Sequence, residues 1–141
     1  MNGADVVVLD EQTGHLLRRA HQRASAIFLS ELSDAGLTPA QFFAMARLHE
    51  MGEVSQNHLG RLVAMDPATI QGVVRRLIDR GLLKRKPDPR DKRRMIPRLT
   101  AKGRKIVTRL TDNARRVDET ILAPLAPKER VRFVAMLKRL V

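Results

Sequence analysis

The spacing of apolar residues divides the chain into a run of helices with one interruption. From Thr13 to about Ala35, Leu16, Leu17, Ala20, Ala24, Ile27, Phe28 and Leu32 recur at intervals of three and four, which predicts a long first helix. Thr38, Pro39, Ala40 and Gln41 form a capping box with proline at the first helical position, so a second helix starts at Pro39 and runs to about Glu50. Met51, Gly52 and Glu53 break it, and Ser55 can cap a short third helix carrying Leu59, Leu62 and Val63. Asp66 and Pro67 then open a fourth helix that Gly81 ends; its Ile70, Val73, Val74, Leu77 and Ile78 make a stripe that packs inward.

The rest of that fourth helix carries the first hint of function. Ala68, Thr69, Gln71, Gly72 and Arg75 face outward near its start, small and hydrogen-bonding groups with no carboxylate among them. A solvated helix face ordinarily mixes Glu with Lys, whereas this one is shaped to enter a groove. A short helix joined tightly to a longer one of this kind is the helix-turn-helix arrangement, whose second helix lies in the DNA major groove.

After Gly81 the helical period stops. Leu82 to Lys86 and Arg94 to Leu99 flank a Pro- and Asp-rich turn, which predicts a basic two-stranded hairpin. Pro97 cannot donate to a ladder, so its side of the returning strand must be an edge. Thr100 can cap a long helix carrying Ile106, Val107, Leu110, Ala114, Val117 and Ile121, which Pro124 stops. A last helix starts at Pro127 behind a poor cap, Ala126, and presents Val131, Val134, Met136, Leu137 and Leu140. These terminal helices are more apolar than one small domain needs. An isologous dimer interface built from both chain ends uses the excess most simply; an intrachain bundle is the alternative. Residues 1 to 10 read as an arm with no functional signal.

Charge sharpens this picture. Of the net +12 in 141 residues, residues 66 to 105 contribute +10, fourteen Lys and Arg against four Asp, on and just after the groove-shaped helix. So local a patch points to a polyanion. There are no cysteines, which excludes disulfides, thiolate metal sites and thiol redox switches. No signal-peptide pattern precedes the first helix and no apolar run reaches the roughly 20 residues of a membrane span, so a cytoplasmic protein without membrane contact is expected. No phosphate-cradling glycine loop, nucleophile elbow or zinc-ligand spacing occurs, so neither an enzyme nor a cofactor or metal protein is expected. RNA or ribosome binding is the alternative that charge alone permits, although no Tyr or Trp and only four Phe are present to stack on unpaired bases.

The order of elements, together with Asp88, Pro89, Arg90, Asp91, Lys92 and Arg93 in the hairpin and Leu99, Thr100, Ala101, Lys102 and Gly103 after it, resembles the MarR family of bacterial transcription regulators. Asp66, Thr69, Val73, Arg75, Arg76 and Leu77 of the fourth helix and the capping box at Thr38 fit the same pattern, so the likeness covers nearly the whole chain. The resemblance implies a mainly α fold: a winged helix-turn-helix lobe over residues 36–100 with a two-stranded β-hairpin wing, and a helical dimerisation region from residues 11–35 and 101–141, all in one protomer of residues 1–141. It further implies a homodimer that binds a near-palindromic operator in double-stranded DNA, usually as a repressor, and releases it when a small molecule binds. By position, Ala68, Thr69, Gln71 and Arg75 face base edges, with Arg75 suited to guanine and Gln71 to adenine. Arg90 at the hairpin tip reaches the minor groove, while Ser55, Gln56, Arg76, Lys92 and Arg93 serve phosphates. Asp91 either braces neighbouring arginines or forms the turn. Two positions depart from the pattern: Ala126 replaces a Ser or Thr cap, and Pro97 is expected to alter the returning strand.

Ligand-responsive members of the family bind effectors where the dimerisation helices meet the DNA-binding lobe. Here that implies His15, Arg18, Arg19, His21, Phe42, Phe43, Ala46 and His49. Arginine beside histidine and phenylalanine suits a small aromatic carboxylate, the guanidinium holding the acid while the ring stacks. The run from Arg18 to Gln22 is similar to that of members controlling aromatic-acid breakdown, hydroxynicotinate included. For each of these residues, a solvated arginine or a hydrogen-bonded structural histidine is the competing reading.

Overall fold

In the computed structural model, which describes residues 6–141, every helix of the DNA-binding lobe begins at a side chain able to cap it. Thr38 opens α2 (Pro39–Met51) with a complete capping box: its Oγ1 accepts the Gln41 N–H at 3.1 Å, and Gln41 Oε1 accepts the Thr38 N–H at 3.2 Å. Ser55 Oγ accepts the His58 N–H at the start of α3 (Gln56–Leu62), and Asp66 Oδ1 accepts the Thr69 N–H at 2.7 Å at the start of α4 (Pro67–Asp79). Each cap satisfies an amide that the first helical turn leaves without a partner, typically worth about 1 kcal/mol.

The chain divides into two units, residues 32–113 and the two chain ends, to Glu31 and from Ala114. In the first unit, α2, α3 and α4 pack on one another, and β1 (Leu83–Pro87) pairs antiparallel with β2 (Met95–Leu99), Leu83 opposite Leu99 and Pro87 opposite Met95. Leu59, Ile70, Val74 and Leu77 are wholly buried. The apolar stripe of α4 therefore faces the core, each large side chain gaining roughly 1.5 to 3 kcal/mol from burial. Gly60 permits this approach of α3 to α4, since a Cβ there would lie 3.0 Å from both Ile70 Cγ2 and the Met65 carbonyl oxygen. Between the two helices, Ala64 takes a left-handed conformation at φ 55°.

The unit also contains α5 (Ala101–Arg109), which packs on α2 and β2. The reason lies in the Leu99–Gly103 motif. Thr100 Oγ1 caps Gly103 N–H and donates to the Gly81 carbonyl at 2.7 Å, the Lys102 ammonium reaches the Arg80 carbonyl, and Gly103 lies so close to the Leu82 carbonyl oxygen that any Cβ would collide with it. The motif fastens the end of α4, the wing and α5 together.

The chain-end unit comprises a 3-10 turn at Leu9–Glu11, α1 (Thr13–Glu31), α6 (Thr111–Leu122, with its first residues in the other unit) and α7 (Pro127–Lys138). Arg23 of α1 donates to the Thr120 and Ile121 carbonyls at 2.9 and 2.8 Å, capping the last turn of α6. Leu16, Leu17, Val131, Met136 and Leu140 are exposed in the protomer.

Three expectations are adjusted, and the poor cap expected at Ala126 is found. The first helix stops at Glu31, not near Ala35, because Ser33–Ala35 closes into a 3-10 turn ended by left-handed Gly36, whose carbonyl and that of Ala35 are taken by Arg80. The helix after Thr100 is two helices: Thr111 turns its hydroxyl onto the Val107 carbonyl, a back-bond that bends helices, and the break falls at Leu110. Pro97 leaves the strand unaltered, facing Arg85 in unbroken register, because alternate amides of a two-stranded ribbon point away from the partner strand. Ala126 offers no cap, but Glu129 supplies half a capping box by accepting the Ala126 N–H at 2.9 Å. Of the arm expected over residues 1 to 10, residues 1–5 lie outside the described residues.

Candidate nucleic-acid interface

The sequence-predicted face of α4 is on the surface. Ala68, Thr69, Gln71, Arg75 and Arg76 are exposed while Ile70, Val73, Val74 and Leu77 are buried, so the period of 3.6 separates a packed side from a presented one. Thr69 is tied to Asp66 twice, through its N–H and through its hydroxyl, 3.0 Å from Asp66 Oδ2. These bonds from Thr69 hold the Asp66 carboxyl below its ordinary value.

The wing tip is built on two aspartates. Asp88 Oδ1 accepts the Arg90 N–H at 2.9 Å, turning the chain so that Arg90 stands exposed. Asp91 accepts three bonds from Arg93: the N–H and Nε at Oδ1, both 3.1 Å, and a terminal nitrogen at Oδ2. Asp91 thus both forms the turn and braces an arginine, and those bonds hold its carboxyl below the usual range. Arg93 remains almost fully exposed on its outer side. On β1, repulsion from Lys86, with Arg104 and Arg98 adding to it, pushes the Lys84 ammonium below its usual value. Like charges crowded this way are relieved by an incoming anion.

Sequence reasoning missed the braces between wing and helix-turn-helix. Arg85 of β1 donates to Gln56 Oε1 at 3.0 Å, and Arg98 of β2 pairs with Glu53 at 3.0 Å just before α3. Neither pair is close in sequence, and no motif announces it; Leu83 and Ile96 of the two strands are buried in the core of the same unit.

The candidate effector residues are divided between the units. In the chain-end unit, His15 and Arg19, one turn apart on α1, converge on Asp10, with Nε2 3.8 Å and a guanidinium nitrogen 3.5 Å from the same carboxylate oxygen. Arg18 and His21 are exposed. In the other unit, Phe43 is exposed and meets the buried Phe42 edge-on at 6.2 Å between ring centres, Ala46 is half-buried and His49 is exposed. Among the described residues, no three of His, Cys, Asp and Glu gather as a metal site, and no helix is long and apolar enough to cross a membrane.

Comparison with known proteins agrees with this architecture. Residues 37–95 match the MarR family. The HTH-type transcriptional repressor NicR of Pseudomonas putida is 39% identical over 131 residues, 93% of this chain and 83% of the repressor. A probable transcriptional regulator from Pseudomonas aeruginosa is 46% identical with a TM-score of 0.88, aligned over 95% of this chain and all of that one. BpsR of Bordetella bronchiseptica, whose DNA binding is regulated by 6-hydroxynicotinic acid, is 38% identical with a TM-score of 0.89 over 96% of each chain. Nothing in these relatives supports the RNA-binding alternative. This chain belongs to the MarR family of dimeric, DNA-binding transcription regulators.

Proposed function

We propose that the protein is a repressor that holds a near-palindromic operator as a homodimer and lets it go when a small aromatic carboxylate, such as a hydroxynicotinate, binds. The observation that carries this reading is the face of α4: small and hydrogen-bonding groups over an apolar stripe, flanked by an exposed basic wing. Residues 36–100 read the DNA, and residues 11–35 and 101–141 hold the two protomers together. Ala68, Thr69, Gln71 and Arg75 meet base edges, Arg90 enters the minor groove, and Ser55, Gln56, Arg76, Lys92 and Arg93 meet phosphates. Arg18 and Arg19, with His15 and His21, take the effector's carboxylate. The repressor name of NicR and the ligand of BpsR support the choice of repression and of effector class. The protein works in the cytoplasm, by binding and without turnover.

The test is recovery of genomic DNA on the purified protein, followed by footprinting of the enriched site. Two half-sites about 34 Å apart, protected by a dimer, are expected. Affinity should fall on the order of a thousandfold between about 50 and 200 mM salt. Addition of 6-hydroxynicotinate should release the duplex and be recovered unchanged. A monomer protecting a single half-site would overturn the reading.

A further inference from the structure

The Asp66–Thr69 pair settles which way the Thr69 hydroxyl points. Asp66 Oδ1 is occupied by the Thr69 N–H at 2.7 Å, and Oδ2 stands 3.0 Å from Thr69 Oγ1. An ionised carboxylate has only acceptors, so the proton in that second contact belongs to threonine. A threonine hydroxyl ordinarily rotates to suit its neighbour, giving or accepting as required. Here its single proton is committed inward, and what exposed Thr69 shows to the outside is oxygen lone pairs and a methyl group.

We infer that Thr69 is an acceptor-only reader of the operator, selecting a base with an exocyclic amino group, adenine or cytosine, over one with a keto group, guanine or thymine. This rests on the reading that α4 lies in the major groove. There, adenine N6 and cytosine N4 are the donors, while guanine O6 and N7 and thymine O4 are acceptors. An acceptor aimed at a keto oxygen leaves two lone pairs facing each other with no proton between them. Correcting that by rotating the hydroxyl would strip Asp66 Oδ2 of its bond. Asp66 thereby has a part in base choice without touching a base.

Asp66→Asn is the sharp test, because asparagine caps a helix as well as aspartate does. Its Oδ1 must still accept the Thr69 N–H, which places Nδ2 against Thr69 Oγ1. The amide then donates to the hydroxyl, and the threonine proton is released outward. Selection from a random duplex library by the full-length wild-type protein, D66N, T69V and T69S should identify one position per half-site that responds. Wild type and T69S should prefer adenine or cytosine there by about five- to tenfold, T69V should show no amino-over-keto preference, and D66N should favour guanine or thymine. Loss of one negative charge in D66N should tighten binding to every duplex alike and leave the other positions unchanged. Circular dichroism and thermal melting check that each variant is folded. If D66N keeps the wild-type preference while guanine N7 methylation interference still places α4 in the groove, the inference is overturned. If no N7 interference appears beneath α4, the groove reading itself fails, and this inference with it.

Discussion

Arg85 holds Gln56 from across the wing, its guanidinium 3.0 Å from the Gln56 side-chain oxygen and 29 residues away in sequence. The bond is exposed, so its contribution to folding is small, about 1 kcal/mol or less. Its proposed effect lies in engaging the Gln56 side chain through its oxygen, which leaves the amide N–H groups for the phosphate contact proposed for Gln56. Arg85→Met should therefore weaken binding to operator and to unrelated duplex by a similar factor, roughly three- to tenfold, with little change in melting temperature. Fluorescence anisotropy on both duplexes measures this. A loss confined to the operator would place Arg85 among the base readers instead.

The cations of α4 and the wing should separate by role. Arg75→Ala should relax preference at one base position, with a loss of about 1 to 3 kcal/mol on the operator alone. Lys92→Ala should weaken binding to all sequences and lower the slope of log affinity against log salt by about one. Titrations at four salt concentrations on two duplexes distinguish them, and identical behaviour of the two variants would refute the assignment.

Gly103 is predicted to be the least tolerant position of the wing's base. A methyl group there meets the Leu82 carbonyl oxygen, which is backbone and cannot swing aside. Gly103→Ala should cost about 1 to 3 kcal/mol or more in urea unfolding. Thr100→Val, which removes the cap of α5 and its bond to Gly81, should cost about 1 kcal/mol. Both variants should lose operator affinity as a consequence of the wing's detachment from α4.

Asp66 sets a pH limit on α4. Its folded carboxyl is held below the unfolded value by the bonds from Thr69, so the stabilisation is complete above the unfolded value near 4 and is lost as pH falls through the folded one. The unfolding free energy of the wild type relative to Asp66→Asn should stay constant from pH 7 to about 5. It should then decline below about pH 4. A difference that changes between pH 7 and 6 would implicate a histidine and contradict this account.

Asp10 occupies two of the side chains proposed to hold the effector's acid, His15 and Arg19. His15 and Arg19 already face one carboxylate oxygen, at 3.8 and 3.5 Å, and an incoming carboxylate has to displace it. Arg19→Ala should leave operator binding intact while blunting release by 6-hydroxynicotinate. Asp10→Asn should do the reverse, lowering the concentration needed for release by a few-fold. Calorimetry and anisotropy with 6-hydroxynicotinate read both effects. Loss of DNA binding in the Arg19 variant would mark a structural residue.

What the chain alone determined is what depends on near neighbours. Helix starts at Thr38, Ser55, Asp66 and Thr100 follow from side chains bonding amides three residues on, and the buried side of α4 follows from a period of 3.6. The basic character of residues 66–105 and the turn at Asp88 to Arg93 are equally local. Only the tertiary structure decided what joins distant segments: Arg85 to Gln56, Arg98 to Glu53, Gly103 against Leu82, and Arg23 on the last carbonyls of α6. It also divided the helix after Thr100, where Thr111 bonds backward, and ended the first at Glu31, where Arg80 takes the carbonyls that follow. The physical reason is range. A cap or a helical period is written within a few residues, whereas a guanidinium's partner is fixed by how buried side chains bring segments together.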